Sequence, residues 1–129
     1  LIVDDAVVVR HMVSLTLRKA GYDVVQAVNG KEALEKLGGS KVEMVITDLN
    51  MPEMDGIELI RQMRQTEKYR FMPILMLTTV SQDEKRQEGQ RAGASAWIFK
   101  PFHPTQLLET VRQFLVSDER SDLRRPVIS

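Results

Sequence analysis

Five short apolar runs punctuate the chain: Leu1–Val3, Val24–Ala27, Met44–Thr47, Ile74–Leu77 and Trp97–Phe99. Each is nearly continuous in apolar character rather than alternating, which is how strands read when both faces of a parallel sheet are covered by helices. The segments between them have helical spacing. Val9, Val13, Leu17 and Ala20 line one face before Gly21, and Ala33, Leu34 and Leu37 do so before Gly38-Gly39, each glycine placed as a helix stop. Asn29 with Glu32, Asp55 with Glu58 and Ser81 with Glu84 carry the three-residue spacing of a capping box. A fifth helix opens at Pro104, a residue tolerated in the first turn, and continues through Leu107, Leu108, Val111 and Leu115. Strands and helices in strict alternation predict right-handed crossovers and one open, doubly wound α/β sheet of five parallel strands with five helices.

Sheets of this kind bind ligands beyond the carboxyl ends of their strands, so polar residues ending the apolar runs are the candidate site. Asp4 and Asp5 end the first run, Asp48 follows the third, Thr78 the fourth and Lys100 the fifth. Three carboxylates at one edge raise one another's pKa, and a cation relieves the conflict. All-oxygen ligation suits Mg²⁺, or Mn²⁺, with positions left for water and a substrate phosphate. An aspartate beside such an ion can be a nucleophile toward phosphorus, while Lys100 and the Thr78 hydroxyl can meet phosphoryl oxygens. The residues therefore point to metal-assisted phosphoryl transfer onto an aspartate.

Asp4-Asp5, the run TDLNMPEMDG at 47–56, Thr78 and Lys100-Pro101 resemble the defining residues of the receiver domain of two-component response regulators. Thirty residues separate Asp48 from Thr78 and twenty-two separate Thr78 from Lys100, as in single-domain chemotaxis regulators, and GASAWIFKPF is similar to their corresponding stretch. The resemblance implies a flavodoxin-like strand order 2-1-3-4-5 and makes Asp48 the phosphoacceptor, receiving its phosphoryl group from a sensor histidine kinase. It implies that Asp5 and Asp48 ligate Mg²⁺ with the carbonyl of Asn50, that Asp4 acts through a bound water, and that Thr78 and Lys100 bind the phosphoryl group. It also implies a cis bond before Pro101, a switch made by Thr78 and Trp97, and a downstream protein target met through the fourth helix, fifth strand and fifth helix. Such a protein is a signalling switch rather than an enzyme, although it assists its own phosphorylation and dephosphorylation. It is expected as a monomer or a phosphorylation-dependent dimer. A haloacid-dehalogenase-type phosphatase uses similar groups but needs an acid two positions after its nucleophile, where this chain has Asn50.

Three features depart from the family pattern. Trp97 is larger than the usual switch aromatic and carries an N–H that needs a partner when buried. Ala6-Val7-Val8-Val9 replaces a capping residue with poor helix starters, so the first helix is expected to begin late or to use Asp5 as its cap. Thr79 and Val80 follow the switch threonine where smaller or more polar residues are common. Gly56 and Gly93 are read as turn glycines and Pro52 as shaping its loop, His11 and His103 as surface groups, and QDEKRQEGQR at 82–91 as a solvated helix face.

Composition narrows the rest. Eighteen Lys and Arg balance eighteen Asp and Glu, so no net field favours nucleic acid or an anionic membrane. No cysteine is present, and two distant histidines make no zinc site. No apolar run approaches the ~20 residues of a membrane span. A cytoplasmic protein is expected, with residues 1–116 as the receiver and 117–129 as a charged tail or linker. A stand-alone regulator is expected over a receiver module of a longer chain with an output domain.

Overall fold

The computed structural model describes residues 1–49, 51, 53–79 and 83–121, with the backbone alone for 116–121. In chain order the elements are β1 (Ile2–Val3), α1 (Val7–Lys19), β2 (Gln26–Ala27), α2 (Gly30–Gly39), β3 (Val45–Asp48), α3 (Gly56–Gln65), a 3-10 turn at Glu67–Tyr69, β4 (Ile74–Thr78), α4 (Asp83–Ala92), β5 (Ala96–Phe99) and α5 (Pro104–Ser121). The five strands pair in parallel in the order β2-β1-β3-β4-β5. This is the doubly wound α/β sheet that the apolar runs predict. Helix α5 continues past position 117, where the composition turns charged. Among the described residues no helix is long and apolar enough to cross a membrane.

Alternate residues of each strand feed two cores. Val3, Val45, Ile74 and Met76 face a cluster closed by α2 and α3 through Ala33, Leu37, Ile57, Ile60 and Met63. Ile2, Ile46, Leu75, Leu77 and Ile98 face the other, closed by α1 and α5 through Val13, Leu17, Leu107 and Val111. Each such side chain contributes about 1.5–3 kcal/mol when fully buried, so the sheet is stabilised from both sides. That symmetry is why its strands lack the polar alternation of a half-exposed sheet.

The helix ends follow local chemistry. Asn29 accepts from the Glu32 backbone N–H at 2.8 Å and Asp55 from that of Glu58 at 2.9 Å. Ser81, the third predicted cap, lies outside the described residues. Helix α1 starts at Val7, directly after Ala6, which has no side chain to cap it. Neither the late start nor the Asp5 cap expected from the sequence is found: no side chain caps α1, and Asp4 Oδ1 instead accepts from the N–H of Ala6 itself at 2.8 Å, ahead of the first turn. An oxygen two residues back can fold onto this N–H in an Asx turn. Gly21 and Gly93 have φ of 99° and 118°, the left-handed region that lets the chain turn after α1 and α4.

Helix α4 is seated differently from the others. Among its described residues Gly89 is the buried one. A Cβ there would lie 2.6 Å from Met76 Sδ, so the helix backbone rests directly on the sheet. Arg61 of α3 pairs with Glu88 at 2.9 Å, and Arg64 donates to the Gly93 carbonyl at 3.1 Å from Nε and 2.9 Å from a terminal nitrogen. Polar clamps and one close backbone contact, with the partly buried Ala92 against the α2–α3 core, do what rows of large apolar side chains do on the other helices.

Gly56 also serves a close approach, and not the turn read from sequence. Its N–H donates to the Leu49 carbonyl at 2.9 Å, and an added Cβ would stand 2.1 Å from the Asp48 carbonyl oxygen. Gly56→Ala must push α3 away from the end of β3, and a loss of about 3 kcal/mol is expected from the urea unfolding midpoint. A change within about 0.5 kcal/mol would show that α3 is not seated this tightly.

Candidate functional site

Parallel pairing brings the carboxyl ends of β1, β3, β4 and β5 to one edge. Asp4 follows β1, Asp48 closes β3, Thr78 closes β4 and Lys100 follows β5. The Lys100 N–H donates to the Thr78 carbonyl at 2.7 Å, fixing the end of β5 against that of β4. From there the side chain crosses β4 and places Nζ 2.9 Å from Asp48 Oδ1 and 3.5 Å from Asp4 Oδ2. The Lys100–Pro101 bond is cis.

One carboxylate oxygen from each of Asp4, Asp5 and Asp48 lies within 4.8 Å of the others. Asp4 is fully buried, Asp48 nearly so and Asp5 exposed, so the cluster opens to solvent on the Asp5 side. Burial is the main cause that raises the Asp4 carboxyl above its ordinary value of 3.8. The Ala6 N–H opposes the rise, Asp48's charge adds to it and Lys100 opposes it. Burial alone would lower the Lys100 ammonium, but the hydrogen bond and charge of Asp48, then those of Asp4, outweigh it and leave the group raised. One ammonium thus serves two carboxylates, and the third is turned to water. An all-oxygen donor set with excess negative charge fits a hard divalent cation.

Thr78 is fully buried, and its hydroxyl donates to the Thr79 carbonyl at 3.3 Å. Trp97 packs its ring against the α2–α3 core, and its Nε1 is buried with no hydrogen-bond partner among the described residues. His11 and His103 are exposed. Asn50, Pro52 and Val80 lie outside the described residues.

A family model described as the response regulator receiver domain matches residues 1–112. The chain belongs to this family. The receiver domain is 36% identical to the chemotaxis protein CheY1 of Helicobacter pylori over 121 residues, 92% of this chain and 98% of that protein. It is equally similar, at 36%, to the alkaline phosphatase synthesis transcriptional regulatory protein PhoP of Bacillus subtilis, of which it covers half. The solved structure of CheY4 of Vibrio cholerae superposes with a TM-score of 0.82 at 46% identity, covering 88% of this chain and 95% of that one. This receiver is therefore a CheY-like domain of two-component signalling.

Two supports of the site escaped the sequence reading. Arg10 donates to the Asp4 carbonyl at 2.8 Å and to Gln26 Oε1 at 3.2 Å, tying the acid pair to β2. The sequence signal for it is a long cation on α1 one to two turns after the acids, on a helix whose visible pattern is its apolar face. Glu53, at φ 68°, accepts from Asn29 Nδ2 at 3.2 Å, while the Gly30 N–H donates to the Met54 carbonyl at 3.1 Å. These bonds moor the loop after β3 to the start of α2, and nothing in residue spacing announces a left-handed glutamate.

The raised Asp4 carboxyl has a thermodynamic sign. The native state holds the Asp4 proton at pH values where the unfolded chain has released it, so stability from this group is full below 3.8 and lost as pH rises through the raised native value. In protein freed of metal by chelator, Asp4→Asn should therefore raise unfolding stability at pH 7, read as a higher urea midpoint than wild type. The gain should vanish near pH 3, where both side chains are neutral. Equal or lower stability of the variant at pH 7 would contradict the electrostatic assignment.

Proposed function

We propose that this receiver domain accepts a phosphoryl group on Asp48 from the phosphohistidine of a sensor kinase and thereby changes the surface it shows to a downstream protein. The observation that carries the reading is the Lys100 ammonium held 2.9 Å from Asp48 Oδ1 inside an acidic cluster. Asp48 is the reacting group because it combines near-burial with contact to Lys100 on one side and the solvent-open Asp5 on the other. In the transfer, an Asp48 carboxylate oxygen forms the new bond to phosphorus as the bond from phosphorus to the imidazole nitrogen breaks, and the imidazole leaves to take up a proton. Lys100 exchanges its hold on the free carboxylate for a phosphoryl oxygen, a charge-assisted bond.

Asp4, Asp5 and Asp48, with the Asn50 carbonyl, would hold Mg²⁺, which when bound neutralises charge on the transferring group. A separate reaction, attack of water on the phosphorus of the aspartyl phosphate with release of the Asp48 carboxylate and inorganic phosphate, is the one turnover assigned to this domain. It is a signalling role rather than catalysis on an outside substrate.

The switch is assigned to Thr78 and Trp97. Thr78 follows Leu77, the register partner of Asp48, so a hydroxyl moving toward the phosphoryl group travels a short path. A buried indole N–H without a partner costs about 1–3 kcal/mol, and a shifted ring can recover it. That favours two states of similar energy, biased by phosphorylation. The surface that changes is assigned to α4, β5 and α5, where Phe99 is part-exposed with the Arg86 guanidinium 5.4 Å above its ring.

Acetyl phosphate with Mg²⁺ tests the reading. The intact mass should rise by one phosphoryl group, and Trp97 fluorescence should change in parallel. Asp48→Asn or excess chelator should abolish both responses. An unmodified mass in folded wild-type protein would overturn the proposal.

A further inference from the structure

A second concavity opens at the other end of β3, before its first residue, between the end of α2 and the 3-10 turn. Its volume is about 370 Å³. Leu37, Val42 and Met72 form an apolar floor, and the Tyr69 ring stands over it, fixed by its hydroxyl donating to the Leu37 carbonyl at 3.1 Å. Lys41 and Lys68 stand at the rim, both exposed, and no carboxylate lines the cavity. Neither lysine forms a salt bridge among the described residues. Lys68 Nζ lies 5.8 Å from the centre of the Tyr69 ring, so its positive charge sits beside an aromatic residue of the lining.

The glycines at the end of α2 supply an independent observation. Gly38 and Gly39 line this cavity, neither has a positive φ, and a Cβ on either would meet nothing within 4 Å. The helix ends there, but neither glycine adopts the left-handed cap, and Ser40 beyond them is extended. Glycine is the weakest helix former after proline, so two in succession carry a cost that neither backbone conformation nor internal packing repays. What they do provide is bare backbone at the mouth of the cavity.

We propose that this cavity docks an acidic peptide segment of a partner protein, with one large apolar side chain inserted over Tyr69 and Met72 and acidic neighbours against Lys41 and Lys68. Charge complementarity favours an anion, because the two charged residues of the lining are both lysines, neither in a salt bridge among the described residues, and no acid lines the cavity. Openness favours a peptide over a small molecule. Gly38, Gly39, Ser40, Lys41 and Lys68 are all exposed, whereas a small-ligand site typically buries most of its ligand. Phe71, next to Met72 in the chain and not part of the lining, is 88% exposed, a further large apolar side chain left to solvent in this segment. Asp48 closes the strand whose opposite end the cavity precedes, so docking here leaves the acidic cluster uncovered.

The test titrates ¹⁵N-labelled full chain at low ionic strength with the synthetic peptide Ac-EDFEDE-NH₂, its basic counterpart Ac-KKFKKK-NH₂, and phenylacetate. The acidic peptide should shift the amides of residues 38–42 and 68–72 saturably, and the basic one should not. The double variant Lys41→Glu with Lys68→Glu should weaken binding about tenfold. Gly39→Leu, whose side chain enters open space, should block it while leaving the urea midpoint near that of wild type. Absence of saturable shifts at these amides, or shifts indifferent to the charge reversal, would overturn the proposal. Phenylacetate binding as tightly as the peptide would overturn it in favour of a small-molecule site.

Discussion

Three carboxylates gathered at one point, with one ammonium reaching only two of them, is an arrangement no chain adopts without cause. Asp4 and Asp48 are drawn out of water and toward each other, and Lys100 must cross a strand to reach both. The crossing is possible because the strands are parallel and end together, and because Lys100 N–H is fastened to the Thr78 carbonyl. Register, strand order and the two-sided core all serve to deliver these groups to one point. The core is therefore the source of stability, and the strand edge is where some of it is given up.

Fold and site differ in how they were written into the sequence. Near-continuous runs such as MVIT at 44–47 and ILML at 74–77 disclosed a sheet covered on both faces, since a buried strand has no polar alternation to preserve. The acids, Thr78 and Lys100 were legible because strand ends in this topology share an edge. The start of α1 differs from the sequence expectation: the helix begins at Val7 with no side-chain cap, and Asp4 folds onto the Ala6 N–H just before it. Gly56 looked like a turn glycine and is a contact glycine. A close approach between α3 and the Asp48 carbonyl depends on how elements pack, and no local pattern encodes it. Arg10 and Glu53 were missed for the same reason, since each acts on backbone from a distant segment.

The two ends of β3 have opposite characters. One end gathers negative charge around a buried pair; the other, four strand residues away, presents lysines around bare helix backbone. At roughly 3.3 Å per residue the strand separates them by little more than a nanometre, with the hydrophobic core between. Groups at the two ends share a rigid element but no solvent.

Helix α4 rests on the sheet through Gly89, is held to α3 by Arg61 and Arg64, and sets only the small Ala92 against the core. Its outward residues can be rewritten freely, provided Gly89 and its clamps remain. A receiver built this way can change the partners it addresses without changing the machine that reads its phosphorylation. The vocabulary of the surface and the grammar of the core are inherited separately.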